Sequence, residues 1–426
     1  MKTHRLAPWF LAASAGLFAL LAFPWRQDAR GATPPAPQAA VAEATAAAAS
    51  PLAPTLATVA HPASPAPAAP AAQPVLGDPR WEPSLGRYVA SYGPRRAVLT
   101  LDPRLQPRLE KALADARMPW GATVLLEPRT GKVLAMAERS EAGDGRGLAL
   151  RPLAPAASVF KIVTSAALLE RGVQPESEVC YHGGNHRIQP GLLKDSRRDG
   201  RCLSLSSALG HSANVVFAKL AGRDLEPAAL RTEAGRFLFN GAIPFERPVE
   251  ASPAQIPDDR FQFATTAAGF GSVRMSPLHA ALIAAIVANN GLFVPPRLVD
   301  EVEGGAGPAR PTPHQAVSPR VALALAEMMR TTVTEGTARR TFGKDRWRRS
   351  PLRDVLVAGK TGSLAEQQPF RDYTWFVGFA PVNDPQVAVA TVIANDRLWH
   401  VRASQVAHQA LEAYFALPRG TRTASR

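Results

Sequence analysis

The sequence predicts an α+β domain: a central antiparallel sheet with flanking helices and an inserted helical subdomain, preceded by a membrane anchor and a disordered tether. Three observations carry this. Strand-like apolar runs cluster in two places far apart, Ala122 to Ala137 and Val355 to Ile393. Between them, apolar residues recur mostly at helical spacing. Ahead of both, a basic and then apolar N-terminus leads into a long Ala/Pro-rich stretch. The expected divisions are 1–26 anchor or signal segment, 27–92 tether, 93–418 globular domain and 419–426 basic tail.

The bulk properties agree with one large domain or two ordinary ones. The chain has 426 residues, 46% of them hydrophobic, enough for a sizeable core. Its formal charge of +14 favours solubility and attraction to anionic surfaces. A nucleic-acid partner is not expected, because no basic stripe accompanies a recognition motif. The dense run Arg346-Trp-Arg348-Arg349 reads as a solvated loop.

Met1-Lys-Thr-His-Arg5 is basic, and Trp9 to Phe23 is uncharged and almost wholly apolar. Counted from Ala7 to Trp25, the run reaches the length of a spanning helix, with Trp9 and Trp25 at the two interfaces. An uncleaved inner-membrane anchor is expected; a cleaved signal peptide, cut near Ala32, is the rival. Either places the chain beyond Arg26 outside the cytoplasm. Gly31 to Gly77 has Glu43 as its only charged residue and no apolar period, so it is expected to be a disordered, partly extended tether.

The globular part is expected to start near Gly93. Asp102 and Pro103 suit the opening of a helix whose apolar face is Leu105, Leu109, Ala112 and Leu113. Ala122 to Leu126 and Lys132 to Ala137, around Glu127-Pro-Arg-Thr-Gly131, read as a β-hairpin. Helices are expected over Ser158 to Arg171, Leu205 to Ala221, Pro277 to Asn290 and Pro319 to Thr334. Val355 to Gly359, Tyr373 to Ala380 and Val387 to Ile393 read as strands, and Ser404 to Leu417 as a closing amphipathic helix.

Three short motifs bear the chemistry: Ser158-Val-Phe-Lys161, Ser212-Ala-Asn214 and Lys360-Thr-Gly362, separated by 54 and 148 residues. Each alone has a bland explanation: a capping Ser ahead of a surface Lys, an N-cap with a polar neighbour, a strand-to-turn boundary. In this order they supply a nucleophile, a base, a second hydroxyl with an amide, and a cationic strand. Ser158 needs a base, and a helical i,i+3 spacing puts Lys161 on its face. Burial among Val159, Phe160, Ile162 and Val163 would favour a neutral amine. Ser212 can relay a proton to a leaving amine, and Asn214 can hold Lys161 and a substrate carbonyl. Lys360 and Thr361 can hold a carboxylate, and Gly362 lets a peptide approach the strand.

The S-x-x-K, S-x-N and K-T-G set resembles that of serine penicillin-recognising enzymes, and the chain from Arg96 to Leu417 resembles a penicillin-binding protein transpeptidase domain. Leu101 to Gln106, Glu127 to Ala135, Gly269-Phe-Gly271, Ser276-Pro277, Asn290-Gly291 and Gly336-Thr-Ala338 share in the likeness. The chain departs from it at Pro155-Ala-Ala157, where Pro-Gly is more usual, and at Ser363, where Thr is common. The resemblance implies the same α+β fold and an oxyanion hole from the Ser158 and Ser363 N–H groups. It also implies a peptidoglycan D,D-transpeptidase that cross-links stem peptides through an acyl-Ser158 intermediate. β-Lactams would be inhibitors and a glycan polymerase a candidate partner. No metal or organic cofactor is implied, and no glycosyltransferase or separate dimerisation domain is expected.

The rivals share the acyl-enzyme: a D,D-carboxypeptidase, or a β-lactamase, for which Glu226 and Glu233 are the downstream carboxylates but no E-x-x-L-N is found. A non-catalytic scaffold or β-lactam sensor is the reading from another class. Gly210-His-Ser-Ala-Asn214 nearly matches a nucleophile elbow, but lacks its last Gly. Cys180 and Cys202, in an exported chain, suggest a disulfide. A zinc site with His182 and His186, or free thiols, are the alternatives.

Overall fold

A computed structural model describes residues 74–143, 145–184, 187–343, 350–398 and 401–418. The expected anchor, the tether up to residue 73, His186, the basic run 346–349 and the basic tail lie outside the described residues. Among those described, no helix is long and apolar enough to cross a membrane.

The folded part begins before Gly93. Three short strands, β1 (Arg80–Glu82), β2 (Arg87–Tyr92) and β3 (Arg95–Leu99), form an antiparallel sheet. The tether boundary at 92 is therefore too late. Val89, Ala90 and Tyr92 bury their side chains, a pattern that the Gly/Pro-rich surroundings obscure in the sequence. Helix α1 (Gln106–Asp115) starts four residues after Asp102. Asp102 instead accepts the Arg104 N–H at 2.7 Å in the preceding turn, and Pro107 takes the first-turn position.

The hairpin strands β4 (Trp120–Leu126) and β5 (Val133–Ser140) form as expected. β6 (Ala154–Pro155) leads into a 3₁₀ turn, Ala157–Phe160, which continues as α2 (Lys161–Glu170). β7 (Glu178–Tyr181) and β8 (Arg201–Ser204) pair with Cys180 opposite Cys202. The helical block comes next: α3 (Leu205–His211), α4 (Asn214–Asp224), α5 (Pro227–Arg236) and α6 (Arg260–Ala267). The single helix expected over Leu205 to Ala221 is broken at Ser212, which sits in the left-handed region with φ +57°.

β9 (Arg274–Met275) pairs with β6 and leads to α7 (Pro277–Ala288). The sequence of α7 is apolar all round, and every one of its residues is buried. β10 (Leu292–Phe293), β11 (Val299–Val302) and β12 (His314–Gln315) are short; β11 adds to the sheet of β1–β3. Then come α8 (Pro319–Thr334) and α9 (Arg339–Phe342). Ser204, Ser276 and Ser318 cap α3, α7 and α8, each accepting the N–H three residues on.

β13 (Ala358–Gln367), β14 (Phe370–Ala380), β15 (Val387–Asn395) and α10 (Ala403–Phe415) close the fold. The main sheet runs β13-β14-β15-β4-β5, antiparallel throughout. The β15–β4 pairing joins the two ends of the domain, so the helical block between them is an insertion. α1 and α10 share the apolar core on one face of this sheet. α7 packs on the other face against β4, β14 and β15. Lys360 to Gly362 lies inside β13, not after the strand as expected, and pairs with Val377 to Trp375.

Candidate active site

Four backbone features bring the motifs together. The first is the turn before α2. Ala157 adopts a left-handed φ of +48°, which sets Ser158 in the 3₁₀ turn and Lys161 one turn later at the start of α2. The second is Gly269, at φ +95°, where a Cβ would stand 2.4 Å from the Ala157 carbonyl oxygen. Only glycine lets this segment lie against the Ser158 turn. The third is the break at Ser212, which ends α3 and starts α4 at Asn214.

The fourth is Gly362. A Cβ there would point at Val159 Cγ2 (3.2 Å), Trp375 Cβ (3.3 Å) and the Ala156 oxygen (3.4 Å). The missing side chain thus lets the turn carrying Ser158 press against β13. From the sequence, that room was expected to serve a substrate peptide. Trp375 Nε1 ties the same turn to the sheet by donating to the Pro155 oxygen at 2.9 Å.

Lys161 is fully buried. Its Nζ lies 2.8 Å from Ser158 Oγ, 2.8 Å from Asn214 Oδ1 and 2.5 Å from the Ala268 oxygen. Burial, helped by the charge of Lys360, holds the amine well below the ordinary lysine value. A neutral amine has two hydrogens and one lone pair. The Asn214 and Ala268 oxygens accept the two hydrogens, and the lone pair is left for the Ser158 hydroxyl. Lys360 is also fully buried. Its Nζ donates to Ser212 Oγ at 3.0 Å and to the Thr361 oxygen at 2.8 Å. Burial lowers it to about 7.

Ser158, Ser212, Asn214, Thr361, Gly362 and Ser363 all line one cavity of about 450 Å³, and the two lysines stand behind its wall. Phe270 and Thr337, in segments that share in the family likeness, line it too, whereas sequence reasoning missed Arg340, Thr374, Arg402 and Ser404. Thr337 Oγ1 meets Thr361 Oγ1 at 2.5 Å. The likeness over Gly269-Phe-Gly271 and Gly336-Thr-Ala338 had singled out both of those segments. Nothing in the sequence pointed to Arg340 or Arg402. The Ala268 carbonyl on Lys161 is a backbone contact that only folding reveals.

Cys180 and Cys202 form a disulfide across the β7–β8 hairpin. With their sulfurs bonded to each other, neither is a free thiol or a zinc ligand. Lys219 of α4 holds the hairpin's loop, donating to the Cys180 oxygen and to Asp199 Oδ2, both at 2.8 Å. The hairpin runs through Ser204 into α3 and so to Ser212. Among the described residues, no group of three or more His, Cys, Asp and Glu is placed to hold a metal.

An acyl-transfer geometry on an α+β scaffold of this kind has relatives. Residues 121–413 match the penicillin binding protein transpeptidase domain, and the chain belongs to that family. Peptidoglycan D,D-transpeptidase PbpA of Mycolicibacterium smegmatis is 27% identical, over 70% of this chain and 68% of that one. The crystal structure of PBPA from Mycobacterium tuberculosis is 26% identical with a TM-score of 0.61, covering 74% of this chain and 81% of that one. Penicillin-binding protein A from the same organism, as an imipenem acyl-enzyme complex, is 27% identical with a TM-score of 0.58, covering 74% and 78%.

Proposed function

We propose that this chain is a peptidoglycan D,D-transpeptidase that works through an acyl-Ser158 intermediate. The observation that carries the reading is the 2.8 Å approach of a buried, deprotonation-prone Lys161 amine to Ser158 Oγ at the edge of an open cavity. Ser158 Oγ attacks the carbonyl carbon between the two terminal D-alanines of a stem peptide, and its proton passes to Lys161 Nζ. The Ser158 and Ser363 N–H groups hold the oxyanion. The last D-alanine leaves as the amine, taking a proton delivered through Ser212, which Lys360 keeps oriented. An amine of a second stem then attacks the Ser158 ester, forming the cross-link and returning the hydroxyl. Asn214 fixes Lys161 throughout.

β-Lactams acylate the same Ser158 in this reading, in keeping with the acyl-enzyme complexes of its relatives. The basic and apolar composition of residues 1–26 supports a single-pass inner-membrane anchor with the domain outside the cytoplasm. Labelled penicillin should modify Ser158, as mapped by mass. Labelling that survives Ser158→Ala would overturn the assignment. Release of D-alanine with dimer formation, rather than hydrolysis alone, identifies the transpeptidase.

A further inference from the structure

The acyl-transfer reading requires a cation for the substrate's terminal carboxylate, and Lys360 was the expected one. Its ammonium is poorly placed for that task. Lys360 is 0% exposed, it is absent from the cavity lining, and its hydrogens go to Ser212 Oγ and the Thr361 oxygen. Among the described residues that do line the cavity, two carry charge: Arg340 of α9 and Arg402 just before α10. Both side chains are exposed.

These two arginines come from separate elements of a lining that also carries several hydroxyls. Thr341, next to Arg340, bonds Ser404 at 3.0 Å, so α9 and the start of α10 are joined directly. Thr337, on the turn into α9, bonds Thr361 on β13 at 2.5 Å. The Ala403 N–H donates to Thr374 Oγ1 at 3.1 Å, fixing the backbone beside Arg402 on β14. Arg340 and Arg402 line the same cavity as Thr337, Thr361 and Ser404, and guanidinium groups, always charged and forked, together with hydroxyls are suited to a planar carboxylate.

Resting on the acyl-transfer reading, we infer that Arg340 and Arg402 form the subsite for the donor peptide's terminal carboxylate, and that Lys360 serves Ser212 instead. Both arginines are specificity-determining residues acting before the acyl-enzyme forms. An exposed guanidinium keeps its charge at any physiological pH, whereas a lysine lowered to about 7 does not.

The test measures acyl-enzyme formation by mass, with no acceptor amine present, on the purified chain. Two peptide thioester donors are compared, one whose leaving group ends in a free carboxylate and one ending in the carboxamide. Arg340→Gln, Arg402→Gln and the double variant are run beside the unaltered chain, with Ser158→Ala as the blank. The unaltered chain should favour the carboxylate by about tenfold or more, the worth of one charged hydrogen bond. In the double variant that ratio should fall to near one, and lysine at both positions should restore part of it. A ratio that survives in the double variant, with acylation still proceeding, overturns this assignment alone. A second arm adds an acceptor amine to the preformed acyl-enzyme; an effect of the variants confined to that aminolysis step also overturns it, since the arginines would then face the acceptor. Failure of the unaltered chain to acylate with either donor overturns the acyl-transfer reading itself, and this subsite with it.

Discussion

Lys161 Nζ stands 2.8 Å from Ser158 Oγ, with its two remaining partners, Asn214 Oδ1 and the Ala268 oxygen, both acceptors. Burial and the Lys360 charge favour the uncharged amine, whose two hydrogens those acceptors take while its lone pair is left for Ser158. A protonated Lys161 would give all three hydrogens away and leave nothing to accept the hydroxyl proton. Lys161→Met keeps the buried length but removes the lone pair. Acylation by labelled penicillin should drop about 10²- to 10⁴-fold while circular dichroism stays native. Lys161→Arg should not rescue it, since a guanidinium accepts no proton. Near-normal acylation in the Met variant would remove Lys161 as the base.

The pH profile of acylation depends on the same pair. The active form has Lys161 neutral, so the rate rises as pH climbs through the Lys161 pKa, which burial and the Lys360 charge both lower. Removing that charge with Lys360→Met lets Lys161 hold its proton more tightly. The acid limb should therefore move to higher pH, apart from any fall in the plateau rate through Ser212. A limb that moves to lower pH, or stays fixed, would disconnect the two lysines.

Ala157 occupies a left-handed conformation, φ +48°, that costs a residue with a Cβ roughly 1–2 kcal/mol. Glycine, the residue more usual there in the family, is free of that cost but loses more entropy on folding. Ala157→Gly should stabilise the domain by about 1 kcal/mol in urea unfolding. A loss of stability would mean that the Ala157 methyl contributes packing that outweighs the strain.

Legibility varied with the range of the interactions. Pro319 to Thr334 was readable to the residue, because a Ser cap, a first-turn Pro and an apolar stripe are all local signals. The hairpin of β4 and β5 and the strands β14 and β15 were also legible from their apolar runs, whereas β13 was expected over Val355 to Gly359 and runs over Ala358–Gln367, whose second half is too polar and exposed to read as a strand. The break at Ser212 was not, because the apolar pattern runs on through Val215 and Val216 and a left-handed serine leaves no mark in composition. β1 to β3 were missed because their burial depends on partners elsewhere in the fold, β11 among them. At the site, side chains that carry family motifs were legible. Arg340, Arg402 and the Ala268 carbonyl, which reach the cavity or Lys161 only through tertiary packing, were not.

The disulfide closes a separation of 22 residues and ties the hairpin that feeds α3. Replacing both cysteines by alanine should lower stability by about 3 kcal/mol through the unfolded chain's regained freedom. Acylation should fall less, since Lys219 still holds the loop through Asp199. Unchanged denaturation midpoints for the double variant would show that the β7–β8 pairing suffices alone.

Glu233 is the buried carboxylate that the chemistry does not use. It lies on α5 at 3% exposure, with Arg236 on Oε2 at 3.1 Å and no hydrogen bond to Oε1. Burial raises it to about 7, with Glu170 adding and Arg236 opposing. A carboxyl with a higher pKa folded than unfolded binds more protons in the folded state. Its folded form therefore loses stability as pH rises from the unfolded value near 4.5 to about 7. Glu233→Gln removes that dependence. The variant should match the unaltered chain near pH 5 and exceed it by about 2 kcal/mol at pH 8, after allowance for the lost Arg236 contact. Thermal unfolding at the two pH values measures this. A variant that is less stable at pH 8 than at pH 5, relative to the unaltered chain, would mean that Arg236 keeps Glu233 charged and that the ion pair outweighs the burial.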